Sequence, residues 1–270
     1  MKNVFYSYYL DTPLQIGRVF DVFEAEAPEK DTAIFFVHGG GWRHGSRQGG
    51  THILMDEFAR RGYTCASTDY RLDAKDAFEQ ISDVREAFDC FVDILLKKGK
   101  TPKIVIWGES AGAHLASLCA YALPGELGED ISKLKHPEIR PYKAILQATP
   151  YDFLAFEGIM PQTWGIMQSI AGAPYAEDPE RYERLSLKNY VRNDNPQTFF
   201  MEAEYEHLFD SKFTKLIAQQ HREMNIDSQW KVYDRVEHGF LHDLKRKMQL
   251  QALEDICLFI ENKLQTEICD

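Results

Sequence analysis

The sequence predicts an α/β fold, a largely parallel sheet covered by helices on both faces, and three observations point there. Short β-branched and aromatic runs alternate with longer segments of helical period. Residues 33–38 form a continuous apolar run that ends in glycines, the pattern of a strand buried on both faces. The 270 residues, 44% of them hydrophobic and 13% aromatic, suffice for one large core, so residues 1–270 are expected to form a single domain.

Residues 6–9 and 18–23 read as an antiparallel pair feeding the sheet, and 33–38 and 64–69 as the next strands. From Phe78 the apolar positions Phe78, Ile81, Val84, Phe88, Phe91, Ile94 and Leu95 recur at three- and four-residue steps. That spacing predicts an amphipathic crossover helix ending near Gly99. Pro102 restarts an extended segment, with a strand over 103–107, a helix over 111–123 and a strand over 142–148. Pro196 opens a strand over 197–203. A helix around 208–223, a strand over 228–233 and a final helix from about 241 to 264 complete the alternation. Two segments break it. Residues 124–141 are polar and loop-like, whereas 151–190 are aromatic-rich and punctuated by Pro161, Pro174 and Pro179. The second follows the C-terminal end of a strand, where open α/β sheets bind ligands, so it is expected to be a small lid or cap insertion.

Lysine and arginine number 31 against 42 acidic residues, a net charge of −11 that repels phosphate backbones, so no nucleic-acid partner is expected. No run approaches the roughly eighteen apolar residues of a membrane span, and polar groups interrupt the N-terminus before a secretory core forms. A cytoplasmic protein without membrane contact is the expectation. Cys65, Cys90, Cys119, Cys257 and Cys269 are odd in number and lack CxxC spacing, so they read as reduced thiols and no metal site is expected.

Chemistry concentrates in a few short motifs. Residues 107–112 read WGESAG, a strand entering a helix through the G-x-S-x-G pattern. Glycines two residues either side of Ser110 permit the strained turn that projects its hydroxyl, beside a helix N-terminus that favours negative charge. Residues 38–42 read HGGGW directly after a buried strand, where glycines leave backbone N–H groups free to face a developing oxyanion. His238, in EHGF between the last strand and the last helix, is the candidate base, since its position completes the chain order of nucleophile, acid and histidine. The orienting acid must lie between them, just after the 197–203 strand. The segment EAEYEHLFD offers Glu206 first, then Asp210, with Glu202 and Glu204 as strand-end alternatives. His38 is expected to be fixed in its loop, and His114, one turn into the nucleophile helix, to pack.

HGGGW at 38–42, TDYRL at 68–72, GESAGAH at 108–114, DPERYERLSLKNY from Asp178 and EHGF at 237–240 together resemble the α/β-hydrolase superfamily. Within it they resemble the hormone-sensitive-lipase-like and small bacterial carboxylesterase branch, over nearly the whole chain. The resemblance implies an eight-stranded, mostly parallel sheet, Ser110 as nucleophile, His238 as general base, and an oxyanion hole from the amides of Gly40, Gly41 and Ala111. It places Glu206 at the acid position, where the family usually has Asp followed by Pro-Leu and this chain has His207 and Leu208. The N-terminal cap helices common in hormone-sensitive-lipase relatives are expected to be absent, which would leave the site closed mainly by residues 151–190.

These residues lead to a serine hydrolase that cleaves carboxylic esters, with short acyl groups, through an acyl-enzyme and without metal or organic cofactor. Trp42, Phe240 and Trp164 are candidates to line the substrate pocket, with Phe153, Phe156, Met160 and Met167 covering it, although core packing accounts for each as well. An arylformamidase-like amidase, suggested by the HGG-x-W form of the loop, and a carbohydrate acetyl or feruloyl esterase are the alternative activities. A non-catalytic binding protein on the same fold is the reading outside enzymes, disfavoured by the intact Ser110, His238 and glycine loop. The expected partner is a small-molecule ester, and a homodimer is the assembly allowed for.

Overall fold

The computed structural model describes residues 5–10, 17–26, 28–156 and 158–268. Among them the strands are β1 (Phe5–Tyr9), β2 (Val19–Phe23), β3 (Thr32–Val37), β4 (Cys65–Thr68), β5 (Lys103–Glu109), β6 (Lys143–Gln147), β7 (Gln197–Tyr205) and β8 (Gln229–Glu237). They form one eight-stranded sheet in the order β1-β2-β4-β3-β5-β6-β7-β8. β2 pairs antiparallel with β1 and with β4, and every other pairing is parallel. Crossover helices make this arrangement possible, because a parallel neighbour is reached only by returning across a face of the sheet.

The helices are α1 (Gly50–Arg60), α2 (Ala77–Lys97), α3 (Ala111–Tyr121), α4 (Pro161–Ala171), α5 (Pro179–Leu185), α6 (Lys212–Glu223) and α7 (Lys247–Ile260). Alternate strand residues point to opposite faces. Phe36, Trp107 and Phe199 therefore pack with Leu54, Phe58 and Ile256 of α1 and α7. Phe35, Ile106 and Leu146 pack on the other side with α2, α3 and α6 through Val84, Leu115 and Ile217. The four described cysteines are free thiols, and Cys269 lies outside the described residues.

Several expectations shift at their boundaries. Nothing was anticipated between the strands at 33–38 and 64–69, yet α1 lies there. Its buried Leu54, Met55, Phe58 and Ala59 do follow a helical spacing. In the 151–190 segment, Pro161 and Pro179 do not merely interrupt a loop. Each sits in the first turn of a helix, where a missing N–H costs nothing. The last helix starts at Lys247, later than about 241, because the Gln249 side chain turns back on the preceding loop. It accepts from the Lys245 and Arg246 amides and donates to the Phe240 carbonyl.

At the opposite end of the sheet from the glycine-rich turns, Lys143 is 1% exposed at the start of β6. Its Nζ donates to the Phe259 carbonyl and to Asn262 Oδ1, both at 2.7 Å, and so shares with the Asn262 amide a carbonyl in the last turn of α7. Burial, helped by the charge of Lys103, pushes this ammonium down to about 8 from 10.5. The unfolded chain then holds the proton more tightly than the fold. Below the folded value the full penalty is present, and it lifts as pH climbs through the window between the two values. Relative to Lys143→Met, the wild type should gain up to about 3 kcal/mol of unfolding free energy from neutral pH to about pH 10 in urea titrations. A difference between the two proteins that stays flat with pH would refute the assignment.

Candidate active site

At the C-terminal end of the parallel strands, β5 runs through Glu109 and α3 begins at Ala111, so Ser110 alone turns the chain, with φ 53° and ψ −122°. A non-glycine residue held in such a conformation costs roughly 1–3 kcal/mol, which the surroundings must over-determine. Backbone contact does so. A β-carbon on Gly108 would lie 2.3 Å from the Gly112 carbonyl oxygen, and one on Gly112 would lie 2.2 Å from that of Val37. The Ser110 amide also donates to the Gln147 carbonyl of β6 at 2.8 Å. The hydroxyl is thus held clear of the helix it introduces.

His238 follows β8, and its Nε2 lies 2.8 Å from Ser110 Oγ. Its Nδ1 lies 2.8 Å from Glu206 Oε2 and 2.9 Å from Oε1. A carboxylate only accepts, so Nδ1 carries the ring proton and Nε2 accepts from the Ser110 hydroxyl. Glu206 stands just beyond β7, and its Oε1 also accepts from the Leu208 amide at 2.8 Å. Burial pushes the Glu206 carboxyl up, but the His238 hydrogen bond and charge and the Leu208 and Phe209 amides outweigh it and hold the group below its ordinary value.

The other candidate acids face elsewhere. Asp210 accepts from the Lys212 amide and pairs with its ammonium at the start of α6. Glu204 accepts from the Arg235 amide. Glu202, 1% exposed in β7, accepts from Thr214 Oγ1, and burial drives its carboxyl well above the ordinary range.

The loop after β3 brings the glycines of HGGGW against this turn. His38 stacks on Tyr70 with ring centroids 4.3 Å apart, and its Nδ1 is 2.7 Å from the Gly39 carbonyl, to which it donates. The Gly40 carbonyl accepts from the His44 amide at 2.9 Å, which folds the loop over. Gly40 has φ +122°, and a β-carbon there would lie 2.2 Å from the His44 carbonyl oxygen, so no side chain is accommodated. Among the described residues, the amides of Gly40, Gly41 and Ala111 find no protein acceptor.

Ser110 and His238 open onto a cavity of about 750 Å³, within the size range of small-molecule sites. Part of its lining is apolar, formed by Met160 just before α4, Ile166 of α4, and Leu208 and Phe209 after β7. Polar lining comes from Ser46, Gln48, Thr51, Glu109 and His242.

The three anticipated pocket residues divide. Trp42 lines the cavity. Phe240 does not: Gly239, at φ +68°, swings the chain so that Phe240 enters the α1/α7 core against Tyr233. Trp164 does not either. It lies one residue and about 100° around α4 from the cavity-lining Thr163, and packs between Tyr175 and Tyr182. Of the covering residues, Phe153 and Met167 are fully buried in the core, Phe156 lines a smaller cleft behind Glu206, and Met160 reaches the cavity.

Glu109, inside the G-x-S-x-G motif itself, and His242 also line the cavity, although the sequence alone gives neither a role there. Glu109 is 8% exposed, and its Oε1 lies 3.7 Å from Nε2 of the exposed His242. Burial pushes its carboxyl up against the lowering influence of His242 and His238. The signal for His242 was its place four residues beyond His238, in the same loop. Among the described residues, no group of three or more His, Cys, Asp or Glu side chains is placed to hold a metal ion, and no helix is long and apolar enough to cross a membrane.

Residues 20–220, well over half of the chain, match the family model BD-FAE. The chain is similar to the probable carboxylic ester hydrolase LipM of Mycobacterium tuberculosis, 24% identical over 202 residues that make up 71% of this chain and 45% of that protein. It spans about half the length of the curated relatives it matches. Among solved structures, esterase B from Lactobacillus rhamnosis superposes with a TM-score of 0.79 at 14% identity, over 97% of this chain and 86% of that one. A thermophilic esterase of Thermogutta terrifontis bound to propionate superposes with a TM-score of 0.73 at 21% identity, over 97% and 96%. At these identities the superpositions establish the α/β-hydrolase fold.

The arrangement predicts that a fluorophosphonate modifies Ser110, as mass spectrometry of the labelled peptide would show. His238→Ala should slow labelling by ~10²- to 10⁴-fold. Glu206→Gln should also slow it, by up to ~10⁴-fold, whereas Asp210→Asn should leave the rate unchanged. Slowing by Asp210→Asn alone would reassign the acid.

Proposed function

The chain belongs to the BD-FAE family of α/β-hydrolases, and from that membership we propose that it is a serine esterase cleaving carboxylic esters of short acyl groups. One observation carries the reading: Ser110, His238 and Glu206 form an unbroken hydrogen-bonded series, and Ser110 and His238 line one cavity together with Gly40 and Gly41.

In this reading His238 Nε2 takes the proton from Ser110 Oγ as the oxygen attacks the ester carbonyl, and Glu206 stabilises the imidazolium that results. The negative oxygen of the tetrahedral intermediate is received by the amides of Gly40, Gly41 and Ala111. Removing one such donor from a serine hydrolase typically raises the barrier by ~3 kcal/mol. His238 then gives its proton to the departing alcohol, and water repeats the sequence on the acyl-enzyme. The backbone supplies the electrophilic stabilisation, and the scheme uses no cofactor.

The acyl group is assigned to the apolar wall of Met160, Ile166, Leu208 and Phe209. Residues 151–190 act as the cap, since α4 contributes part of that wall. One ion pair, Arg181 with Asp76 at the start of α2, holds the insertion against the body, and a second, Lys188 with Asp152, ties the two ends of the insertion together. The likeness to a propionate-bound esterase, also solved with butyrate, supports short acyl chains.

The test is a series of nitrophenyl esters, with N-formylkynurenine and acetylated sugars alongside. Butyrate should be turned over faster than laurate, and Ser110→Ala should lower turnover by about 10⁶-fold. Faster cleavage of laurate would overturn the short-chain reading, and a higher kcat/KM for the formamide would make the enzyme an amidase. Binding of the esters without any turnover would leave a binding protein.

A further inference from the structure

The α2/α3 core holds an imidazole that the reaction leaves unused. His114 lies one turn beyond Ser110 in α3 and is 0% exposed. Burial pushes its pKa down to about 4, against the opposing pull of the Leu185 carbonyl, so the ring is neutral near pH 7. A neutral ring has one donor and one acceptor, and both neighbours dictate which is which. Trp42 Nε1 can only donate, and it lies 3.2 Å from His114 Nδ1. The Leu185 carbonyl can only accept, and it lies 2.7 Å from Nε2. The proton therefore sits on Nε2.

That tautomer joins three elements. Trp42 closes the HGGGW loop at φ 59°, a left-handed conformation that a bulky residue adopts only under constraint. Its carbonyl accepts from Gln80 Nε2 of α2 at 2.8 Å, and its indole ring meets His114 edge-on at 5.5 Å. The three glycines before it have no side chains with which to hold themselves. The next residue, Arg43, ties the loop outward to the Leu72, Ala74 and Ser169 carbonyls. Leu185 ends α5, inside the 151–190 insertion. Phe153, from the same insertion, stacks on the His114 ring with centroids 4.8 Å apart.

We infer that His114 is a positioning residue. Through Trp42 it sets where the Gly40 and Gly41 amides stand relative to Ser110, and through Leu185 it sets where the insertion stands over the cavity. The inference rests on the esterase reading. The first bond acts on turnover, because oxyanion donors work only at the short range reached in the transition state. The second acts on substrate affinity, because the insertion supplies a cavity wall.

Two near-isosteric variants separate the bonds. In His114→Asn the amide oxygen reaches the place of Nδ1 and still accepts from Trp42, while the donor to Leu185 is gone. In His114→Gln the amide nitrogen reaches the place of Nε2 and still donates to Leu185, while the acceptor for Trp42 is gone. Rates are taken per active site, titrated with a fluorophosphonate, so that misfolded enzyme does not count. With nitrophenyl butyrate, His114→Gln should lose about tenfold or more in kcat with KM little changed, and His114→Asn should raise KM with kcat little changed. Trp42→Phe should reproduce the loss of kcat and add nothing to it in the Trp42→Phe, His114→Gln double variant.

Hydrogen exchange of the Trp42 indole proton, followed by NMR, reports the bond without any substrate. It should be slow in the wild type and in His114→Asn, and fast in His114→Gln. Equal per-site losses in both variants, or an indole proton indifferent to either change, would make His114 a packing residue and overturn the inference. An indole proton that behaves as expected in a wild type without esterase activity would overturn the esterase reading and, with it, the assignment of the bonds to kcat and KM.

Discussion

Everything at the Ser110 end of the sheet depends on how closely α3 lies against β5 and β3. With Gly108 and Gly112 bare, main chain meets main chain, and Ser110 is left to make the whole reversal from strand to helix. Any side chain at either glycine would lift α3 off the sheet and move the hydroxyl, the Ala111 amide and His114 together. The strain in the Ser110 backbone is tolerable because the buried surface of the core on both faces holds the strand and the helix where they are.

Around that fixed turn, the remaining groups are held by neutral or internally compensated contacts. His38 and His114 are both buried and both pushed by burial towards the uncharged form. Neutral rings can serve as directional hydrogen-bonding parts of a core without the cost of a buried charge. Glu206 is the contrasting case, since the imidazole at one side and two amides at the other favour its charged form despite burial. Two carboxylates four residues apart on one chain, Glu202 and Glu206, are thereby pushed in opposite directions. The difference comes from their neighbours: a threonine hydroxyl for the first, a histidine for the second.

Much of this was legible in the sequence wherever backbone geometry constrains residue identity. The elbow glycines, the glycine loop and the histidine after the last strand are positions where few residue types work, so their pattern survives in one dimension. The sheet was legible for the same reason, since strands buried on both faces must be apolar throughout. The pocket walls were not. Phe240 and Trp164 are aromatic like any pocket residue, and only the turn at Gly239 and the rotation of α4 send them into the core. Conversely, Gln48 has ordinary loop chemistry, and nothing local marks it as facing a cavity. α1 was missed although its apolar spacing is regular, because its first turn follows a run of glycine, serine and charged residues that reads as loop.

Sequence separation has a further consequence for how the protein comes to work. Ser110 and His238 are 128 residues apart, and β8 is the last strand among the described residues. β3, β5, β6 and β7 all precede it, so they and the turn at Ser110 can leave the ribosome before His238 emerges. The Ser110 hydroxyl therefore meets its histidine partner only once β8 docks on β7. Parallel pairings of this range close slowly, so the contact between the Ser110 hydroxyl and the His238 ring is expected among the last to form in folding.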